Sequence, residues 1–393
     1  MQPLRIPLAR PAAWVPFVLG AASVASLLLY FYGIASMPAG TRWLLLPSFP
    51  ILAVFLTWAH RRDAELRERV VAGLWAGALA TLLYDVVRVP ISASGVPVFK
   101  AISYFGTLLL GQTSPTFGSE LAGWGYHLCN GIGFGLMYAV LVARPRLWSA
   151  VAWGVTLEVT MLLTPYAEVF GYRMSTQFVA ISLGAHVVYG AALWAGLRGW
   201  ERLRHEPNRM RILTSLALLP PLGIGGVAWD FHGRHAASIP PSPPAYVGKH
   251  LYATWNALEP DRLAVLWVLR RFVDPEARFN FVEPFSHSAL GQPIDLPEAE
   301  IRRSGVRSAT EVLLERESLL DDEKLASLAE MTHLYEIARW KLPSRPSAFV
   351  LGEQLKKAAG DCPAKEVHPC VERGFRFLDE WYEGSDGRST DSP

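Results

Sequence analysis

Three groups of side chains in this sequence have the types and spacing that chemistry needs. Glu330-x-x-His333-x-x-Glu336 places three donor groups on one helical face at i, i+3 and i+6. A carboxylate and an imidazole aimed from one helix suit a divalent metal ion, and Glu311, Asp295 and His287 are the residues that could complete its shell. A solvated helix face carrying one histidine is the competing reading. Arg262 and Arg270 lie two turns apart on one face, with Arg271 beside them. Paired guanidinium groups hold a tetrahedral oxyanion by bidentate hydrogen bonds, although ion pairs with Asp261, Asp274 or Glu276 would use the same arginines.

The third group, Asp85, His127, Glu158 and His186, is set in apolar segments together with Asn130. Ionisable groups in hydrocarbon cost about 2.5–3.5 kcal/mol each on insertion scales, so they face a partner or a wet cavity. They could line a path or site for a proton, a metal ion or a small anion, or simply tie helices together through hydrogen bonds. Two of the segments share a pattern, Gly125-x-His127-x-x-x-Gly131 and Gly184-x-His186-x-x-x-Gly190, each after a helix with a carboxylate. A duplicated helix pair and chance both account for it. Gly131 and Gly135 add a face on which another helix can pack closely.

The elements that must position these groups divide the chain. Apolar runs long enough to cross about 30 Å of hydrocarbon occur near 13–34, 43–59, 70–87, 122–143, 148–166, 177–197 and 212–229. Seven spans are therefore expected in a helical membrane domain over 1–230, its environment the lipid bilayer. The shorter apolar run 98–110 reads as an interfacial or re-entrant helix. The first run exceeds the 7–15 residues of a typical signal core, so it is expected to remain as a span.

Arginines fall on alternate loops: Arg5 and Arg10; Arg61, Arg62, Arg67 and Arg69; Arg144 and Arg146; Arg198, Arg202, Arg204, Arg209 and Arg211. By the positive-inside rule the N-terminus is cytoplasmic, and after seven crossings the rest lies outside. This predicts a multi-pass inner-membrane protein with its C-terminal domain periplasmic or extracellular. A linker over 231–249, stiffened by Pro240, Pro241, Pro243 and Pro244, leads to that domain at 250–393. Cys362 and Cys370 both fall in it, where an oxidising compartment would join them as a disulfide; two unpaired thiols are the other reading.

The C-terminal domain reads as small, helix-rich and α+β. A helix over 261–272 should stop at Asp274-Pro275. A short strand is expected over 278–283, where Phe279 and Phe281 alternate, then helices over 308–319, 321–341 and 368–382.

Asp261-Arg262-Leu263-Ala264, Trp267, Arg270-Arg271-Phe272-Val273-Asp274-Pro275 and Pro293-Ile294-Asp295-Leu296-Pro297, followed by Glu311, His333 and Glu336, occur in an order that resembles the ChrB-type and exported chromate-resistance family. The resemblance covers roughly 258–340. It implies a role in oxyanion or metal stress and makes Glu311 and His333 counterparts of family residues. The pattern breaks at Arg302-Arg303-Ser304-Gly305-Val306-Arg307-Ser308, where the family carries a histidine pair and a cysteine. Any chemistry that depends on those residues is lost here.

A formal net charge of +2 gives no electrostatic support for nucleic-acid binding. No nucleotide-binding glycine loop, nucleophile elbow, zinc-protease helix or CxxC pair is found, which argues against several enzyme classes. The expectation is a protein that binds or senses a small inorganic ion. A transporter using the intramembrane residues and a metal-dependent exported enzyme centred on His333 are the alternatives.

Overall fold

The computed structural model describes residues 10–94, 96, 98–112, 116–170, 175–203, 250–283, 290–297, 299–304, 306–338, 345–360, 362–363 and 366–384. The chain divides into two compact units, Met1–Pro240 and Pro241–Pro393. The expected span at 212–229, the linker at 231–249 and His287 lie outside the described residues.

The described residues of the first unit form helices and their connections. Helices α1 (Trp14–Gly20) and α2 (Ala22–Phe31) meet at a 54° bend. Helix α3 (Met37–Arg62) follows, and Asp63 caps α4 (Ala64–Ala93) by accepting the amide of Leu66 at 3.0 Å. Helix α5 (Lys100–Leu110) ends at Gly111, whose φ of 63° is the left-handed conformation that closes a helix. Thr116 and Ser119 form a capping box that opens α6 (Phe117–Leu141). Then come α7 (Leu147–Leu162), the single turn α8 (Tyr166–Val169) and α9 (Thr176–Leu203).

Among the described residues three helices are long and apolar enough to cross a membrane, or four if the bent pair is one span. The expected runs 122–143 and 148–166 fall on α6 and α7. Helix α6 has the length, but Trp124, Tyr126, His127 and Asn130 dilute its apolar character. Helix α7 has 16 residues, short of the roughly 20 a span requires.

Helix α4 packs along α6 and α9, and α9 along α7. The α4–α6 contact is made of small residues from both sides: a Cβ at Gly77 would lie 2.8 Å from the carbonyl of Gly131. The Gly131 and Gly135 face thus meets Gly73 and Gly77 on α4, and such close approach is how helices gain contact where water provides no drive.

The second unit is built on a three-stranded parallel sheet in the order β2-β1-β3. Strand β1 (Leu251–Trp255) is central, with β2 (Arg278–Val282) and β3 (Gln292–Pro293) on its flanks. Helix α10 (Pro260–Val268), continued by a wider turn over Leu269–Val273, crosses from β1 to β2 and is buried along its whole length. A parallel crossover needs such a helix, and a fully covered one reads as a continuous apolar run such as Leu263–Leu269. Helices α11 (Ala309–Arg316), α12 (Glu323–Glu336), α13 (Pro346–Ala359) and α14 (Val367–Glu383) enclose the core with Trp267, Leu313, Leu328, Leu355 and Phe375. The strands β1 and β3 and helix α13 go beyond the elements expected from sequence, and α12 ends at Glu336 rather than 341.

Candidate functional site

In the first unit the four ionisable residues of the apolar helices come together as two pairs. Asp85 on α4 faces His127 on α6, with Nε2 at 3.0 and 3.2 Å from the two carboxylate oxygens. Glu158 on α7 faces His186 on α9, with Nδ1 at 3.2 Å from Oε2 and 2.9 Å from the Ser182 carbonyl. The Tyr84 ring stands between the imidazoles, with centroids 6.0 Å from His127 and 5.0 Å from His186. Arg88 approaches Asp85 at 3.4 Å, donates to the Val98 carbonyl, and lies over the Tyr84 and Phe99 rings at 4.6 and 4.7 Å.

These groups surround a cavity of about 150 Å³, lined by Arg88, His127, Asn130, Glu158 and His186 among apolar and aromatic walls. The Oδ1 of Asn130 is buried without a hydrogen-bond partner. The glycines that flank the two histidines pack alike. Gly131 and Gly190, four residues after each, press on the carboxylate-bearing helix before them: Gly131 on Thr81 and Gly190 on Ala150 and Val151. Gly125 and Gly184, two residues before each, face open space. The shared sequence pattern therefore corresponds to a shared packing, as a duplicated helix pair would produce.

In the second unit the proposed metal ligands are dispersed. His333 Nδ1 lies 3.0 Å from Glu311 Oε2, and that oxygen also accepts the Ser308 amide at 2.7 Å. Glu311 is thereby the return half of a capping box that opens α11. Glu336 turns away from His333 to Arg303 at 3.1 Å, and Glu330 to Arg345 at 3.3 Å. Residues at i and i+6 are about 120° apart around a helix, so the face joining Glu330 to Glu336 is wide enough to serve different partners. Among the described residues no three His, Cys, Asp or Glu side chains converge on one point.

The three arginines are also separated. Arg262 is buried and reaches Asp295 Oδ2 at 2.7 Å and the Ala257 carbonyl. Arg270 pairs with Glu372 at 2.7 Å and covers the Phe375 ring at 4.2 Å. Arg271 binds Asp379 and, at 2.9 Å, Glu383, both on α14. Ion pairing inside the domain thus occupies all three, though Asp295, Glu372, Asp379 and Glu383 supply it in place of Asp261, Asp274 and Glu276.

The strongest cluster in this unit was not evident from spacing. Arg303 contacts Asp295 at 2.7 Å, Glu259 at 2.5 Å and Glu336 at 3.1 Å. Burial alone would raise the Asp295 carboxyl, but Arg303 and then Arg262 outweigh it and hold it below the usual range. Asp261 on α10 accepts the amides of Ala309 and Thr310 at 2.8 and 2.9 Å, so it caps α11 from a distance. Cys362 and Cys370 are joined as a disulfide.

Within the second unit, residues 252–384 match the family described as ChrB, C-terminal domain. The curated Protein ChrB of Cupriavidus metallidurans is 35% identical over 105 residues, which are 26% of this chain and 32% of that protein. The chain therefore spans about a third of the length of the curated relative it matches. No solved structure matches the chain. The C-terminal part is thus ChrB-like, and the likeness reaches beyond the 258–340 stretch where the sequence motifs lie.

Proposed function

We propose a membrane-anchored, chromate-resistance-like protein that binds a small ion in the cavity of its first unit, with its ChrB-like unit held outside the cytoplasm by about seven spans. The observation that carries the ion site is the convergence of Asp85–His127 and Glu158–His186 on one cavity. Buried ionisable groups in apolar helices are retained at a cost, and here they line open volume instead of filling it. This favours the transporter reading over an oxyanion site at Arg262, Arg270 and Arg271, whose charges are taken up within the domain. A metal centre at Glu330, His333, Glu336 and Glu311 would require those side chains to leave their present partners.

The outward placement of the second unit is supported by the alternation of arginine clusters and by the Cys362–Cys370 disulfide. The test is chromate tolerance in cells expressing the chain, its Glu158→Gln variant and its His186→Ala variant. Tolerance conferred by the chain and lost in both variants at equal protein levels is the expected result. Tolerance unaffected by either change would separate the cavity from resistance.

A further inference from the structure

The chemistry of the cavity wall identifies the kind of ion it fits. Glu158 is 5% exposed, and its ion pair is with His186, which is charged only when protonated. His186 Nδ1 also lies 2.9 Å from the Ser182 carbonyl, which can hold the ring proton of a neutral imidazole. In that state Glu158 is a buried carboxylate with no permanent cation against it among the described residues. Among the described lining residues the permanent cation is Arg88, which is held by Asp85, the Val98 carbonyl and two aromatic rings. Burying an unpaired charge costs several kcal/mol, so the vacant partnership is a binding opportunity for a positive group.

The remaining wall supports the same sign. Tyr84, Phe105, Phe134, Tyr166, Phe178 and Tyr189 line the cavity, and the negative faces of such rings attract cations. An oxyanion would meet Glu158 in the wall and Asp85 behind His127. A bare metal ion would find no three convergent His, Cys, Asp or Glu donors among the described residues. The cavity volume of about 150 Å³ is that of an engineered apolar cavity that accepts benzene, the size of a small organic ion.

We infer that this cavity binds a small lipophilic cation, a protonated amine or quaternary ammonium group, with Glu158 as its counter-ion and the surrounding rings as its cage. The inference rests on the cavity being the ion site, and it names the ion's class. Binding and protonation then compete: the cation pairs with Glu158 while His186 is neutral, and a protonated His186 would take the cation's place. The other groups lining the site are Tyr84 and Arg88 from α4, His127 and Asn130 from α6, Tyr166 from α8, and Ser182 and Tyr189 from α9, with Asp85 behind His127.

Calorimetric titration of the full chain in lipid nanodiscs with tetramethylammonium, which carries no titratable proton, tests this. Binding should be no weaker at about pH 8 than at about pH 5, because any charge that acid places on His186 competes for Glu158. Glu158→Gln should weaken it by about 30-fold or more. Phe178→Leu, which preserves an apolar wall, should weaken it by roughly 2- to 30-fold. Any of three results overturns the inference: no binding by the native chain, affinity unchanged in Glu158→Gln, or displacement of the cation by sulfate. Because chromate tolerance is measured in cells, lost tolerance without tetramethylammonium binding would reject the ion class and leave the ion site in place.

Discussion

Arg303 Nη2 stands 2.7 Å from Asp295 Oδ2, and Arg262 Nη2 reaches the same oxygen at the same distance. Two buried guanidinium groups therefore share one buried carboxylate, and Arg303 extends the contact to Glu336 and Glu259. Three elements meet at this point: the start of α10, the segment after β3 and the end of α12. Removing one partner of a buried pair leaves the others uncompensated, which costs about 3–5 kcal/mol. Arg303→Ala is expected to destabilise the second unit by that amount. Arg270→Ala breaks a pair that is largely exposed and should cost about 1 kcal/mol or less. Denaturant unfolding of the purified chain, followed by hydrogen exchange at Leu251–Trp255, would check both; equal effects would refute the distinction.

The same cluster sets an acid limit. Arg303 and Arg262 hold Asp295 below its ordinary range against the opposing effect of burial. A carboxylate depressed in the folded state contributes stability that is complete above its unfolded value, about 3.9, and is lost as pH falls through the folded one. Burial pushes Asp261 upward, so its protonation offsets part of the loss. Hydrogen-exchange protection in the second unit should therefore hold from neutral pH to about 4 and fall below it. In Asp295→Asn that acid sensitivity should shrink, leaving the part that Glu259, also held low by Arg303, contributes. Persistence of the same acid transition would assign it to other carboxylates.

The helix interface in the first unit makes a position-specific prediction. A Cβ at Gly77 would sit 2.8 Å from the Gly131 carbonyl, whereas one at Gly125 meets nothing within 4 Å. Gly77→Ala should lower stability by roughly 1–3 kcal/mol through overpacking. Gly125→Ala should be neutral or slightly stabilising, because alanine favours helix over glycine. Thermal aggregation midpoints of the two variants in detergent would separate them. A loss of stability in Gly125→Ala equal to that in Gly77→Ala would show that glycine content, not contact, matters.

How much of this could be read in the chain depends on the range of each interaction. The shared Gly-x-His-x-x-x-Gly pattern and its carboxylates were visible because each lies within one helix, where spacing fixes direction. Tyr84 between the two imidazoles was not, since no periodicity marks a side chain that meets two distant helices. The Arg303 cluster joins residues 259, 295, 303 and 336, and only the tertiary fold brings them near. It also explains why the helical face of Glu330, His333 and Glu336 is not one site: the last of these is claimed by an arginine from another segment. Helix α13 carried ordinary cues, with Pro346 at its start, Lys356 and Lys357 in its last turn and Gly360 beyond. Strand β3 is two residues long and leaves no periodic trace.

The disulfide links redox chemistry to topology. Cys362 and Cys370 are joined, and the remaining cysteine, Cys129, is a free thiol on α6. Such a bond persists where the compartment is oxidising and is kept reduced by cytosolic thiols. If the second unit lies outside the cytoplasm, alkylation of the denatured chain should detect one thiol before reduction and three after it. The bond ties the start of α14 to the turn after α13, two helices that pack on each other. Cys370→Ala should therefore lower the stability of that pair by about 2–4 kcal/mol, provided the bond is formed in the native chain. Three reactive thiols before reduction would show that the bond is not formed and would remove its support for the outward placement of the second unit.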